Sequence, residues 1–149
     1  MKMKMKIKRI LFYSLFITLT FSSCKKEGCT DSKAENYSEE ANEDDGSCEY
    51  AGEVVVWWNQ TTSDNLMNDG IDGLYLFLDG VDSGQSWTGV YWSSAPSCGD
   101  SGVWTVPKNL GNSSSVTYDY EIKDEIGNSY DSGTVTISAG NCQSIEFAY

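Results

Sequence analysis

Eight residues in the last third of the chain, Val116 to Lys123, alternate without exception. Val116, Tyr118, Tyr120 and Ile122 are apolar, and Thr117, Asp119, Glu121 and Lys123 are polar. A period of two sends successive side chains to opposite faces of an extended chain, so this stretch predicts a strand with one face buried and the other wet. Val135 and Ile137 alternate in the same way with Thr134, Thr136 and Ser138, as do Ile145, Phe147 and Tyr149 with Ser144, Glu146 and Ala148. Gly127-Asn128 lies between the first two stretches and reads as a turn. Glu53–Trp58 and Leu74–Leu78 are apolar on both faces, which suits central or doubly covered strands. Trp87–Trp92 and Val103–Val106 complete a set of about seven strands, and no segment carries a helical stripe. The expected fold class is all-β: an antiparallel immunoglobulin-like sandwich of about seven strands over residues 52–149.

Residues 28–50 have the opposite character. Between Cys29 and Cys48 lie seven carboxylates, one lysine and few apolar side chains: Ala34, Tyr37 and Ala41, with Tyr50 just outside. These cannot offset an ordering cost of about 1–2 kcal/mol per residue. A disulfide between the bracketing cysteines would stabilise the loop by about 3 kcal/mol on the chain-entropy model. Tyr37 is the expected small-core residue, and Asp45-Gly46 reads as the turn that returns the second cysteine. An EF-hand is excluded. Gly46 as sixth loop position puts Ala41 first and Gly52 twelfth, where oxygen ligands are required. Asp31, Asp44 and Asp45 are the candidates for an irregular calcium site, against the simpler reading of a solvated acidic surface.

The N-terminus carries an address. Lys2, Lys4, Lys6, Lys8 and Arg9 precede an uncharged run, Ile10 to Phe21, whose 12 residues suit a signal-peptide core. A membrane span needs about 20. Phe21-Ser22-Ser23-Cys24 resembles a bacterial lipobox, with Phe where Leu is usual. That resemblance implies a lipid on Cys24, signal cleavage after residue 23 and a short tether over residues 24–27. Cysteine arithmetic agrees. Of the five cysteines, Cys24, Cys29, Cys48, Cys98 and Cys142, acylation of the first leaves an even set for an oxidising compartment. Four cysteines allow three connectivities, and the expected pairs are Cys29–Cys48 and Cys98–Cys142.

Two further resemblances refine the picture. Cys29-Thr30-Asp31, Ala34, Asn36-Tyr37, Ala41 and Asp44-Asp45-Gly46-Ser47-Cys48 match at every fixed position a repeat, C-T-D-x-x-A-x-N-Y-x-x-x-A-x-x-D-D-G-S-C, that is similar to one in surface proteins of marine Bacteroidetes. It implies lineage and an exported location rather than a chemistry; together with the lipobox it makes the expected place the outer membrane, lipid-anchored, on either its periplasmic or its cell-surface face. The succession LYLFLDGVDSG, SCGDSG, YDYEIKDEIGN, GTVTISAGNC resembles the PEGA-like and transthyretin-like sandwich modules of bacterial envelope proteins.

Charge and residue inventory narrow the function. Without its first 23 residues the chain keeps 5 lysines against 22 acids, a net of −17 over 126 residues. Such a surface repels nucleic acid. There is no histidine, no Gly-rich phosphate loop and no HExxH helix, so a non-catalytic protein is expected. Binding is the better class. Trp57 and Trp58 are adjacent in one strand and point to opposite faces. Together with Trp87, Tyr91 and Trp92 they make Trp57, Trp87, Tyr91 and Trp92 the candidates for surface rings that stack on a glycan or an envelope protein. Asn59–Gly73 is long for a connection, and its Asp64, Asp69 and Asp72 are a further cation candidate. The alternatives to a binding or adhesion module are a structural or spacer subunit of an envelope complex and a calcium-stabilised surface module.

Overall fold

The computed structural model describes residues 25–149. The basic segment, the apolar run and Cys24, to which the sequence assigns a signal peptide and a lipid, lie outside the described residues. The elements run β1 (Glu27–Gly28), β2 (Glu43–Asp44), β3 (Tyr50–Trp57), α1 (Gln60–Asn68), β4 (Gly73–Leu78), β5 (Val81–Trp87), β6 (Trp104–Gly111), β7 (Ser115–Lys123), β8 (Ser129–Ser138) and β9 (Cys142–Glu146). β1 and β2 pair alone, β6-β3-β9 form a three-stranded sheet, and β5-β4-β7-β8 form a four-stranded one.

The fold is all-β and sandwich-like, because each larger sheet has one strongly apolar face. Leu74, Leu76 and Leu78 of β4, Ile122 of β7 and Val135 and Ile137 of β8 share one core with Val54 and Val56 of β3, Trp104 and Val106 of β6 and Ile145 of β9. Gly52 marks the closest approach. A Cβ there would stand 2.7 Å from Ile137 Cγ2 and 2.8 Å from the Ser138 carbonyl oxygen, so only glycine lets β3 pass β8. The four-stranded sheet is antiparallel throughout, whereas β3 runs parallel to β9. The constant-type immunoglobulin arrangement keeps its first two strands in one sheet. Here β3 and β4, the first two long strands, lie in different sheets.

Both expected disulfides are present, Cys29–Cys48 and Cys98–Cys142. The first staples the acidic segment, but Tyr37 is not its core residue: it is 44% exposed. Tyr50 takes that place at 8% exposure, and its hydroxyl donates to Asp31. The reason is position. Tyr50 opens β3, so it is carried into the sandwich core together with Cys29, Ala34 and Cys48.

Two other expectations are corrected. Asn59–Gly73 is not a loop throughout, because α1 occupies most of it. Asn59 caps the helix by accepting the Thr62 N–H, and the buried residues are Thr62, Ser63 and Leu66. The strand expected at Trp87–Trp92 instead ends at Trp87, having begun at Val81. Asp79 and Gly80, both at positive φ, form the two-residue hairpin that returns β4 into β5.

The outer side of the three-stranded sheet is covered as well. Val55 and Trp57 project there and are buried, away from the shared core. The connection from Thr88 to Val103 is fastened to this sheet along its length. Cys98 is bonded to Cys142, the Gly99 N–H donates to the Thr105 hydroxyl at 3.0 Å, and the Trp92 N–H donates to the Trp58 carbonyl at 3.0 Å.

Candidate ligand-binding face

The outer side of the four-stranded sheet is the opposite case. With Leu74, Leu76 and Leu78 turned inward, β4 presents Gly73, Tyr75 and Phe77 outward. In register beside them stand Trp87 opposite Gly73, Gln85 and Lys123 on either side of Tyr75, and Glu121 opposite Phe77. Trp87 is the exposed tryptophan of the described residues, at 58%. Its ring lies flat on Gly89, where a Cβ would come within 2.6 Å of the indole. Any larger residue at position 89 would lift the ring from its seat.

Thr88 fixes this arrangement from below. It is fully buried. Its carbonyl accepts from Trp58 Nε1 at 3.1 Å and from the Ser63 hydroxyl at 2.7 Å, its hydroxyl donates to the Ile71 carbonyl at 2.7 Å, and its N–H donates to the Asp72 carbonyl at 3.0 Å. One residue thus ties the end of β5 to α1, to the residue that follows β3 and to the segment entering β4. Trp87 and Asp72 are held side by side as a result.

Two hollows adjoin on this face. The first, about 380 Å³, is lined by Asp72, Tyr75, Gln85, Ser86, Trp87 and Glu125. The second, about 280 Å³, is lined by Tyr75, Phe77, Asp82, Lys123, Asp124 and Glu125, so the two share Tyr75 and Glu125. Lys123 Nζ sits 5.0 Å from the centre of the Phe77 ring and 2.8 Å from Glu121. That ammonium holds the Glu121 carboxyl below its ordinary value. Glu125 is carried by the turn from Asp124 to Asn128. Asp124 organises the turn by accepting from the Ile126 and Asn128 N–H groups, the Asn128 side-chain amide and the Tyr130 hydroxyl. Burial works to raise the Asp124 carboxyl. These hydrogen bonds outweigh it and leave the group below its ordinary value.

The structure separates the four aromatic candidates. Trp57 is 7% exposed and is not a surface ring, because it lies on the central strand of its sheet, flanked by β6 and β9. Tyr91 is exposed and Trp92 half-buried, both in the connection, and neither lines the hollows at Trp87. A third hollow of about 430 Å³ lies between Glu35, Glu53, Pro107 and the Cys98–Cys142 bond, and no aromatic ring lines it. Tyr75, Phe77 and Thr88 escape a reading of the sequence. The first two look like ordinary members of an apolar strand, and Thr88 has no signal at all.

The acidic candidates are engaged in turns. Asp31 accepts from the Lys33 N–H and the Tyr50 hydroxyl, Asp44 from the Gly46 N–H and the Thr30 hydroxyl, and Asp45 from the Ser47 N–H. These bonds hold Asp31 and Asp45 below the usual carboxylate range, through the Lys33 N–H first for Asp31 and the Ser47 hydroxyl first for Asp45. Asp69 accepts from the Tyr149 hydroxyl at 2.7 Å. Among the described residues no group of three or more His, Cys, Asp or Glu side chains is placed to hold a metal ion. Asp31, Asp45, Glu121 and Asp124 all move down, away from the range of a general acid.

No protein-family model matches the chain, and no curated protein or solved structure is detectably similar to it.

Proposed function

We propose that this chain is a non-catalytic glycan-binding module of a bacterial envelope lipoprotein, anchored in the outer membrane through a lipid on Cys24. The outer face of the four-stranded sheet is its binding face. The observation that carries this reading is Trp87, an exposed indole laid flat on Gly89 at the rim of a groove that also offers Tyr75, Gln85, Asp72 and Glu125. A flat aromatic ring beside hydrogen-bonding groups suits the apolar face and the hydroxyl edge of a sugar. The sandwich itself is of the transthyretin-like rather than the immunoglobulin-like kind, a reading supported by the placement of β3 and β4 in different sheets. The acidic module acts as a fixed collar between lipid and sandwich, since its cysteines and Tyr50 pack in the sandwich core.

Native gels cast with soluble polysaccharides test the glycan reading. The chain should be retarded by at least one of them. Trp87→Ala should run free while melting at the wild-type temperature. Retardation that survives this substitution, or none in any gel, would refute the proposal. A protein ligand is the second reading, favoured by Ile126, which is 81% exposed in the turn that carries Glu125.

A further inference from the structure

We infer that the glycan bound at Trp87 carries free, protonated amino groups. The inference rests on the glycan-binding reading above and names the class of sugar. Its first support is the charge of the groove. Asp72 and Glu125 are the charged side chains that line the first hollow, and no lysine or arginine lines it; Lys123, opposite Tyr75 on β7, lines the adjoining hollow. Four of the five lysines of the described residues are engaged with other groups. Lys25 pairs with Glu43, Lys26 with Glu40 and Lys123 with Glu121, and Lys108 stands over Tyr118. An anionic polysaccharide would meet only carboxylates there. A neutral one would satisfy hydrogen bonds and leave the charge unused. An ammonium uses both the carboxylates and the electron-rich ring faces.

The second support lies in the adjoining hollow, where the chain itself displays the complex. Lys123 brings an ammonium over the Phe77 ring at 5.0 Å, with Glu121 at 2.8 Å as counter-charge. The first hollow repeats that composition, rings plus carboxylates, with no lysine of its own, and shares Tyr75 and Glu125 with its neighbour. The third support is the form of the platform. Trp87 is seated on Gly89 and presents a flat face, which matches a pyranose ring better than an extended basic peptide.

Calorimetric titration of the purified full chain with hexamers of glucosamine, N-acetylglucosamine and glucose, and with hexalysine, tests this. The glucosamine hexamer should bind about tenfold or more tighter than the other two sugars, and added salt should weaken it. Asp72→Asn combined with Glu125→Gln should erase the preference without lowering the melting temperature. Trp87→Ala should abolish binding of every hexamer. Equal affinity for all three sugars would overturn the amine inference and leave the glycan reading standing. Hexalysine binding as tightly as the glucosamine hexamer would overturn it in favour of a basic protein. Binding by no hexamer of any kind would count against both.

Discussion

A single carboxylate, Asp124, decides whether Glu125 stands beside the groove. It gathers hydrogen bonds from Ile126, Asn128 and Tyr130 and so shapes the turn. Its folded-state carboxyl titrates below the ordinary value of about 4. The stability it contributes is therefore complete above about pH 4 and is lost as pH falls through the depressed folded value. Asp124→Asn should lower the melting temperature at pH 7 by several degrees. An amide there keeps one acceptor and turns a second donor toward the donors of Asn128 and Tyr130. The gap from wild type should narrow as melts are repeated from pH 4 downward. A gap that stays constant across that range would show that the charge of Asp124 is not what shapes the turn. The same scale explains what the sequence conceals. The exposed Trp87 and the buried Trp57 look alike as letters; the first ends an edge strand with its ring on Gly89, and the second ends the central strand of its sheet.

At the scale of elements, the disulfide Cys98–Cys142 ties the Thr88–Val103 connection to β9, in the sheet whose outer side carries Val55 and Trp57. It closes a loop of 44 residues, which the chain-entropy model converts to about 4 kcal/mol. Replacing both cysteines by alanine should lower the urea-unfolding free energy by about that amount and make Trp57 accessible to acrylamide quenching. Unchanged stability with Trp57 still protected would show that the connection packs without its tether. The elements were unequally legible. Strands β7 and β8 and the acidic loop announce themselves through clean alternation or bracketing cysteines, and β4 through an apolar run. β5 does not, because VDSGQSW is a mostly exposed edge strand with no apolar period. α1 does not either. Its inward side carries Thr62 and Ser63 beside Leu66, and Ser63 is buried because it bonds to Thr88 rather than because it is apolar. The cap at Asn59 was the available signal, and a helical stripe was missing to support it.

At the scale of the whole molecule, the two sheets differ in what covers their outer sides. The three-stranded sheet is closed by its own chain, and the four-stranded sheet is open, with an aromatic band of Trp87, Tyr75 and Phe77 amid carboxylates. Its groove could not be read from the sequence, because it joins β4, β5 and the turn after β7, three segments that come together only through the sheet order. An open, carboxylate-rimmed face on a chain of this net charge is suited to a ligand brought by stacking and hydrogen bonds, not to an anion. The central claim is that this face binds through Trp87. Its most direct test is the set of five indole N–H signals in the nuclear magnetic resonance spectrum, one for each tryptophan, followed while hexamers of glucose, N-acetylglucosamine and glucosamine are added in turn. At least one hexamer should move the Trp87 signal and leave those of Trp57, Trp58 and Trp104 in place. A Trp87 signal unmoved by all three, or a shift confined to Trp92, would contradict the account.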